Sequence, residues 1–193
     1  MFDFISGDVI ESNPAFVIIE NKGIGYFVHI SVNTYSKIQH ATQYKLYIQQ
    51  VIREDAHLLY GFAEKSEREL FRNLISVSGI GANTARMMLS SITTQELQTA
   101  IIHENINLIK SIKGIGTKTA QRVIIELKDK LIKAELSEEL IPSSDNTLKE
   151  EALSALVMLG FNKKPSEKVV NELLRENKEI TVEELIKKAL KVL

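Results

Sequence analysis

The chain has 193 residues, 44% hydrophobic and 25% charged, with a formal net charge of −1 and no cysteine. That is enough apolar material for one large domain or two to three small ones, and the lack of cysteine excludes a disulfide framework and a thiolate metal site. No apolar run approaches a membrane span, and Met1-Phe2-Asp3-Phe4 carries acid where a secretory signal carries base, so a soluble cytoplasmic protein is expected.

Residues 1–62 read as β. Ala15–Glu20, Gly25–Ile30, Tyr44–Ile48 and His57–Phe62 are β-branched and aromatic runs of strand length. Asn13-Pro14 and Asn21-Lys22-Gly23 supply turns between them. About five short strands in about sixty residues predict a small barrel of the OB type. Before the last strand lies Arg53-Glu54-Asp55-Ala56. Two adjacent carboxylates suit a solvated hairpin tip. A metal site would need a third ligand at a useful spacing, and none is near.

Residues 63–133 read as helix. Leu70, Phe71, Leu74 and Ile75 form an apolar stripe. Thr93-Thr94-Gln95-Glu96 has the form of a capping box, Asn105 can cap a short helix, and Thr117 a long one with Ala120, Val123, Ile124 and Leu127 inward. Within this segment Leu74–Ala85 and Ile109–Ala120 repeat one grammar at a constant offset of 35: helix, Gly-Ile-Gly turn, helix. Glycine reaches backbone angles closed to other residues and keeps no Cβ in front of a ligand. The helix after each turn opens with unpaired N–H groups and the positive end of its dipole, a ready site for a phosphate oxygen. Such a device grips backbone without reading bases. This is the pattern of a tandem helix-hairpin-helix. The residues expected at the phosphates are Gly79, Ile80, Gly81 and Asn83 in the first copy. In the second they are Lys113, Gly114, Ile115, Gly116, Thr117, Lys118 and Arg122, the last two sharing a helix face. A helical scaffold with glycine turns and no ligand is the plainer alternative.

Charge supports the nucleic-acid reading once it is divided. Residues 1–62 hold 4 basic and 6 acidic side chains, 63–133 hold 11 and 7, and 134–193 hold 9 and 12. The positive balance falls on the repeat, and phosphate responds to the local field.

Residues 134–146 lose the apolar periodicity and predict a flexible linker. Residues 147–193 predict three helices, with Gly160 stopping the first, Pro165 in the first turn of the second, and Thr181-Val182-Glu183-Glu184 opening the third. A core this small leaves apolar surface exposed, and the net acidic balance favours a protein partner over DNA. Phe161 either closes this core or stands at its exposed corner. The four histidines share no spacing and read as structural or surface residues.

Enzyme readings fare poorly. Gly114-Ile115-Gly116-Thr117-Lys118-Thr119 superficially resembles a phosphate-binding P-loop, but Thr117 stands where that loop needs glycine, and so does Ile112. A DNA glycosylase would need a carboxylate soon after a hairpin, and Glu135 and Glu138 fall in the expected linker. A pure protein-interaction scaffold is the alternative from another class.

The order of barrel, tandem helix-hairpin-helix, linker and three-helix tail resembles the RuvA family, the Holliday-junction-binding subunits of a bacterial branch-migration motor. The residues that carry the resemblance span the chain: Asn21–Tyr26, Val51–Phe62 with its Arg-Glu-Asp-x-x-Leu-Leu-Tyr-Gly-Phe string, and Ala155–Phe161. The resemblance implies a multi-domain α+β protein with domains at 1–62, 63–133 and 147–193, the last a three-helix, UBA-like domain. It implies a homotetramer with barrels around a fourfold axis, one tetramer or two on an open four-way junction. Glu54 and Asp55 would be an acidic pin at the crossover. The tail, through Leu156, Leu159 and Leu190, would bind the RuvB hexameric ATPase, with the RuvC resolvase as a further partner. It implies no catalytic residue, cofactor or metal in this chain. Two places depart from the family's habit: Asn83 stands where relatives often carry a basic residue, and the N-terminal strand carries Asp3 and Asp8.

Overall fold

The computed structural model describes residues 2–139, 144–177 and 180–193, with side chains described except at 134–139, 144–147 and 176. The chain divides into two compact units, 1–135 and 136–193.

The β-rich start folds into strands β1 (Phe4–Asn13), β2 (Phe16–Asn21), β3 (Ile24–Ile30), β4 (Gln43–Ile52) and β5 (His57–Phe62). They close into a barrel in the order β1-β2-β3-β5-β4, and every pair is antiparallel but β3 and β5. Alternate side chains fill the interior: Ile5, Val17, Ile19, Val28, Ile30, Leu46 and Ile48. The strand pattern of the sequence assigns β1 no residue range. It pairs with both β2 and β4 and so completes the closure. Gly7 makes that possible, because a Cβ there would lie 1.9 Å from the Glu20 carbonyl oxygen. The sequence pattern also predicts no helix between the third and fourth strands. Helix α1 (Val32–Ile38) stands there, capped by Ser31, whose hydroxyl accepts from the Thr34 amide at 2.9 Å.

Helices α2 (Lys65–Ser76), α3 (Ala82–Ser91), α4 (Thr94–Ile102), α5 (Ile106–Ser111) and α6 (Thr117–Glu139) follow. Thr93 and Glu96 form the reciprocal capping box at α4, and Asn105 caps α5. Thr117 is not a cap: it is the first helical residue of α6, and Gly116 precedes it. α6 also runs to Glu139, six residues into the stretch expected as a linker. Ala134-Glu135-Leu136-Ser137-Glu138-Glu139 lacks a repeating apolar stripe but is rich in good helix formers, and backbone propensity carries the helix on. Helix α7 (Ser144–Met158) likewise begins inside that stretch.

The barrel and the first helices share a core. Tyr60 and Phe62 leave the end of β5 and pack on Phe71 of α2, with ring centroids 5.1 and 4.9 Å apart. Around them lie Leu70, Leu74, Ala85, Met88, Leu89 and the apolar side chains of α4 to α6. A buried polar link ties the same region: the Ser31 and Thr34 hydroxyls donate to Glu67, the latter at 2.7 Å, and Thr34 accepts from the Ala63 amide at 3.1 Å.

In the second unit α7 packs on α8 (Lys163–Glu176) and α9 (Val182–Ala189) around Ala152, Leu156, Val170, Ile180, Leu185 and Ala189. α7 ends in a Schellman turn, with the Gly160 amide bonded to the Val157 carbonyl, the Phe161 amide to the Leu156 carbonyl, and Gly160 at φ +98. Thr181 caps α9.

Candidate nucleic-acid interface

The two repeats fold into turns that match bond for bond. In the first, the Val77 amide donates to the Leu74 carbonyl at 3.1 Å and the Ile80 amide to the Val77 carbonyl at 3.0 Å. In the second, Ile112 to Ile109 and Ile115 to Ile112 close at 3.3 and 3.0 Å. Gly79 and Gly114 take φ of +92 and +88, a left-handed conformation that strains any residue with a Cβ. The isoleucines between the glycines point inward, Ile80 with 5% and Ile115 with 6% of its surface exposed. They anchor each turn to the helical core.

What the turns present outward is backbone. Gly81 is the N-cap of α3 and Gly116 stands before α6, and the first closing bonds run from Ala85 to Gly81 and from Ala120 to Gly116, both at 2.9 Å. The N–H groups ahead of those bonds have no carbonyl within their helix. At both Gly81 and Gly116 the space where a Cβ would stand is open. A phosphate oxygen can therefore approach the amides directly, with the helix dipole behind them.

Side chains complete the second turn. Lys113, Thr117 and Lys118 are exposed, as is Lys110, which the repeat pattern alone does not single out. Among the described residues none of these three lysines is in an ion pair. Lys128, farther along α6, is different: it pairs with Glu104 at 2.6 Å.

Arg122 is placed in a way its spacing does not reveal. It lies one turn along α6 from Lys118, and its Nη1 donates to the carbonyl of Ser78 in the first turn at 3.0 Å. One guanidinium thus spans from the helix of the second repeat to the hairpin of the first. Asn83 is also engaged: its carboxamide oxygen accepts from the Tyr60 hydroxyl at 3.0 Å.

The barrel holds α3 along its length. Besides Tyr60 at its start, Arg86 donates to the Ala15 carbonyl at 2.8 Å, and Asn33 of α1 donates to the Leu89 and Ile92 carbonyls at 2.6 and 2.9 Å, past its last turn. Sequence offers no signal for these contacts, since each joins residues more than twenty apart.

Glu54 and Asp55 lie exposed at the tip between β4 and β5, where the Arg53 amide bonds to the Ala56 carbonyl at 2.8 Å. Neither carboxylate is in an ion pair among the described residues. The N-terminal acids are engaged within the fold. Asp3 pairs with the buried Arg68 at 2.6 Å, and Asp8 accepts from Gln43 at 2.7 Å. The Arg68 guanidinium holds the Asp3 carboxyl below its usual range.

Of the tail residues expected at a partner, Leu156 is fully buried in the core of the second unit. It lies on the inner face of α7, two positions from the outward Met158. Leu159 is 60% exposed, and Val157, Met158, Leu190, Val192 and Leu193 are exposed as well. Phe161 is half-buried.

Among the described residues no cluster of three or more His, Asp or Glu could hold a metal ion, and no helix is long and apolar enough to cross a membrane.

Three family models match successive parts of the chain. The family model for the RuvA N terminal domain matches residues 1–61, that for a SAM-like helix-hairpin-helix tandem matches 71–129, and that for the RuvA C-terminal domain matches 147–193. A protein of Christiangramia forsetii named "Holliday junction branch migration complex subunit RuvA" is 53% identical over 193 residues, with both chains covered in full. Proteins of the same name from Bacteroides fragilis and Flavobacterium psychrophilum are each 50% identical, with 99% of both chains covered.

Proposed function

The chain belongs to the RuvA family, and from that premise we propose that it binds four-way (Holliday) DNA junctions by their shape, as the DNA-binding subunit of a branch migration complex. The observation that carries this reading is the pair of matching turns, 35 residues apart, whose open amides, joined in the second turn by neighbouring lysines, form two phosphate grips on one helical core. Nothing in such a grip distinguishes one base from another.

The subunit is non-catalytic in this reading. The stretch Gly114–Thr119 joins α5 to α6, helix to helix, whereas a nucleotide-binding P-loop follows a strand. ATP hydrolysis then belongs to a partner, the RuvB hexamer, and the exposed apolar set Val157, Met158, Leu159, Leu190 and Val192 is the surface we assign to it. The RuvC resolvase is a further partner in this scheme, and the setting is the cytoplasm. Assembly is a homotetramer, one or two per junction. Phe4, Ile10, Ile24, Phe27 and Ile52 stand exposed on the barrel, more apolar surface than an isolated barrel gains by showing to water.

A gel shift comparing a four-way junction with duplex of equal length tests the proposal. Grips repeated around a ring engage four arms at once, so junction affinity should exceed duplex affinity by on the order of 10²-fold, whatever the sequence. Equal affinity would sink it.

A further inference from the structure

The two repeats differ at one telling position. Applying the offset of 35, Asn83 stands where the second repeat has Lys118. Both are exposed residues in the first turn of the helix after the hairpin. Lys118 has no ion-pair partner among the described residues, whereas the Asn83 carboxamide oxygen accepts from the Tyr60 hydroxyl at 3.0 Å. Tyr60 is fixed: its side chain is 1% exposed and its ring lies against Phe71 at 5.1 Å and His29 at 5.4 Å.

A carboxamide is planar, with its acceptor on the oxygen and both donors on the nitrogen. With the Tyr60 hydroxyl on the oxygen the carboxamide is held in one orientation, and the amide nitrogen keeps its hydrogens for another acceptor. We propose that Tyr60 is a positioning residue of the first hairpin, and that through Asn83 it presents an oriented, uncharged donor to a phosphodiester oxygen where the second hairpin presents a cation. The two grips then work differently. The second draws on charge and counterion release; the first draws on a preset hydrogen bond, which loses its value if the amide is free to rotate. This rests on the junction-binding reading above.

The test is a set of binding titrations on the full chain with junction and with duplex, at several salt concentrations. Tyr60→Phe keeps the ring and removes the hydroxyl. It should weaken binding to both DNAs by about three- to tenfold, the range of one modest hydrogen bond. Asn83→Ala should do the same, and the double variant should be no weaker than either single one. The salt slope should not change, whereas Lys118→Gln should lower it by about 0.9 for each phosphate that the lysine neutralises. In an Asn83→Lys background Tyr60→Phe should be silent, since an ammonium needs no acceptor to orient it. Wild-type affinity in Tyr60→Phe would overturn the proposal, as would a loss that persists beside Asn83→Lys, which would mark Tyr60 as structural only. A wild type without junction preference would instead overturn the function, with the Tyr60 effect still readable on duplex.

Discussion

A carboxylate withdrawn from water must find donors or keep its proton, and Glu67 does some of each. Ser31 and Thr34 donate to it, yet burial is the larger influence and pushes its carboxyl above the ordinary glutamate value of 4.5. The folded chain therefore holds a proton over a pH range in which the unfolded chain has lost it. Stability from this group is full below 4.5 and is lost as pH rises through the raised value. Asp3 has the opposite sign. The hydrogen bond from Arg68 lowers its carboxyl, so its contribution is present above the usual 3.8 and is lost as pH falls through the depressed value. Glu67→Gln should remove only the first slope. Urea midpoints taken from pH 4.5 upward should decline for the wild type and less steeply for the variant. Parallel profiles would mean that Glu67 is ionised throughout. Neither residue could be singled out from sequence. Glu67 sits in a run of charges, Glu64-Lys65-Ser66-Glu67-Arg68-Glu69, and its buried partners Ser31 and Thr34 belong to the start of α1, a helix the sequence pattern does not disclose.

At the scale of elements, the repeat shows which parts of a fold a sequence makes legible. Local chemistry was readable. The capping box at Thr93, the cap at Asn105, the glycine stop at Gly160 and both hairpins lie within a few residues of their signals. Barrel closure was not, because β1 depends on Gly7 meeting the backbone of β2 at Glu20, and a lone glycine in a polar strand announces nothing. The burial of Leu156 is hidden from the sequence for a related reason. Its place in the Leu-Val-Met-Leu run gives no hint that it faces inward while Met158 faces out, since that depends on where α8 and α9 pack. The hairpins themselves give a quantitative expectation. Gly114 has open space around it, so Gly114→Ala is resisted only by the left-handed backbone, at about 1–2 kcal/mol. Gly79 has nearly the same φ and, at 3.9 Å, only an ordinary contact with Arg122. The two substitutions should lower unfolding free energy alike in denaturant titrations. A loss under about 0.3 kcal/mol, well short of that strain, would mean that the turn re-forms another way.

At the scale of the whole molecule the exposed acids of the β4–β5 tip acquire a meaning that an isolated barrel does not give them. In one chain Glu54 and Asp55 are solvated, cost nothing, and stabilise nothing. The tip is also joined to the first hairpin and the helical core, because β5 starts two residues after Asp55 and carries Tyr60 to Asn83 and Phe62 into that core. In the proposed tetramer four tips meet near the axis with two carboxylates each. Like charges at 4 Å repel by about 1 kcal/mol per pair in water, and by more where water is thinned. An assembly that keeps this repulsion gains only if a ligand reads it. A duplex laid across the axis would bring phosphates against those acids. An open junction leaves its centre free of continuous backbone and sets its arms on the hairpins instead. The pin on this view selects against duplex more than it selects for the junction. Glu54→Gln combined with Asp55→Asn should therefore not lower the unfolding midpoint, and should tighten duplex binding more than junction binding, so that selectivity falls. Reversing the charge with Lys118→Glu should weaken both ligands together and leave their ratio nearly as it was. Paired titrations on junction and duplex at one salt concentration separate the two effects. An unchanged ratio in the doubly neutralised pin variant would return the tip to an ordinary solvated turn.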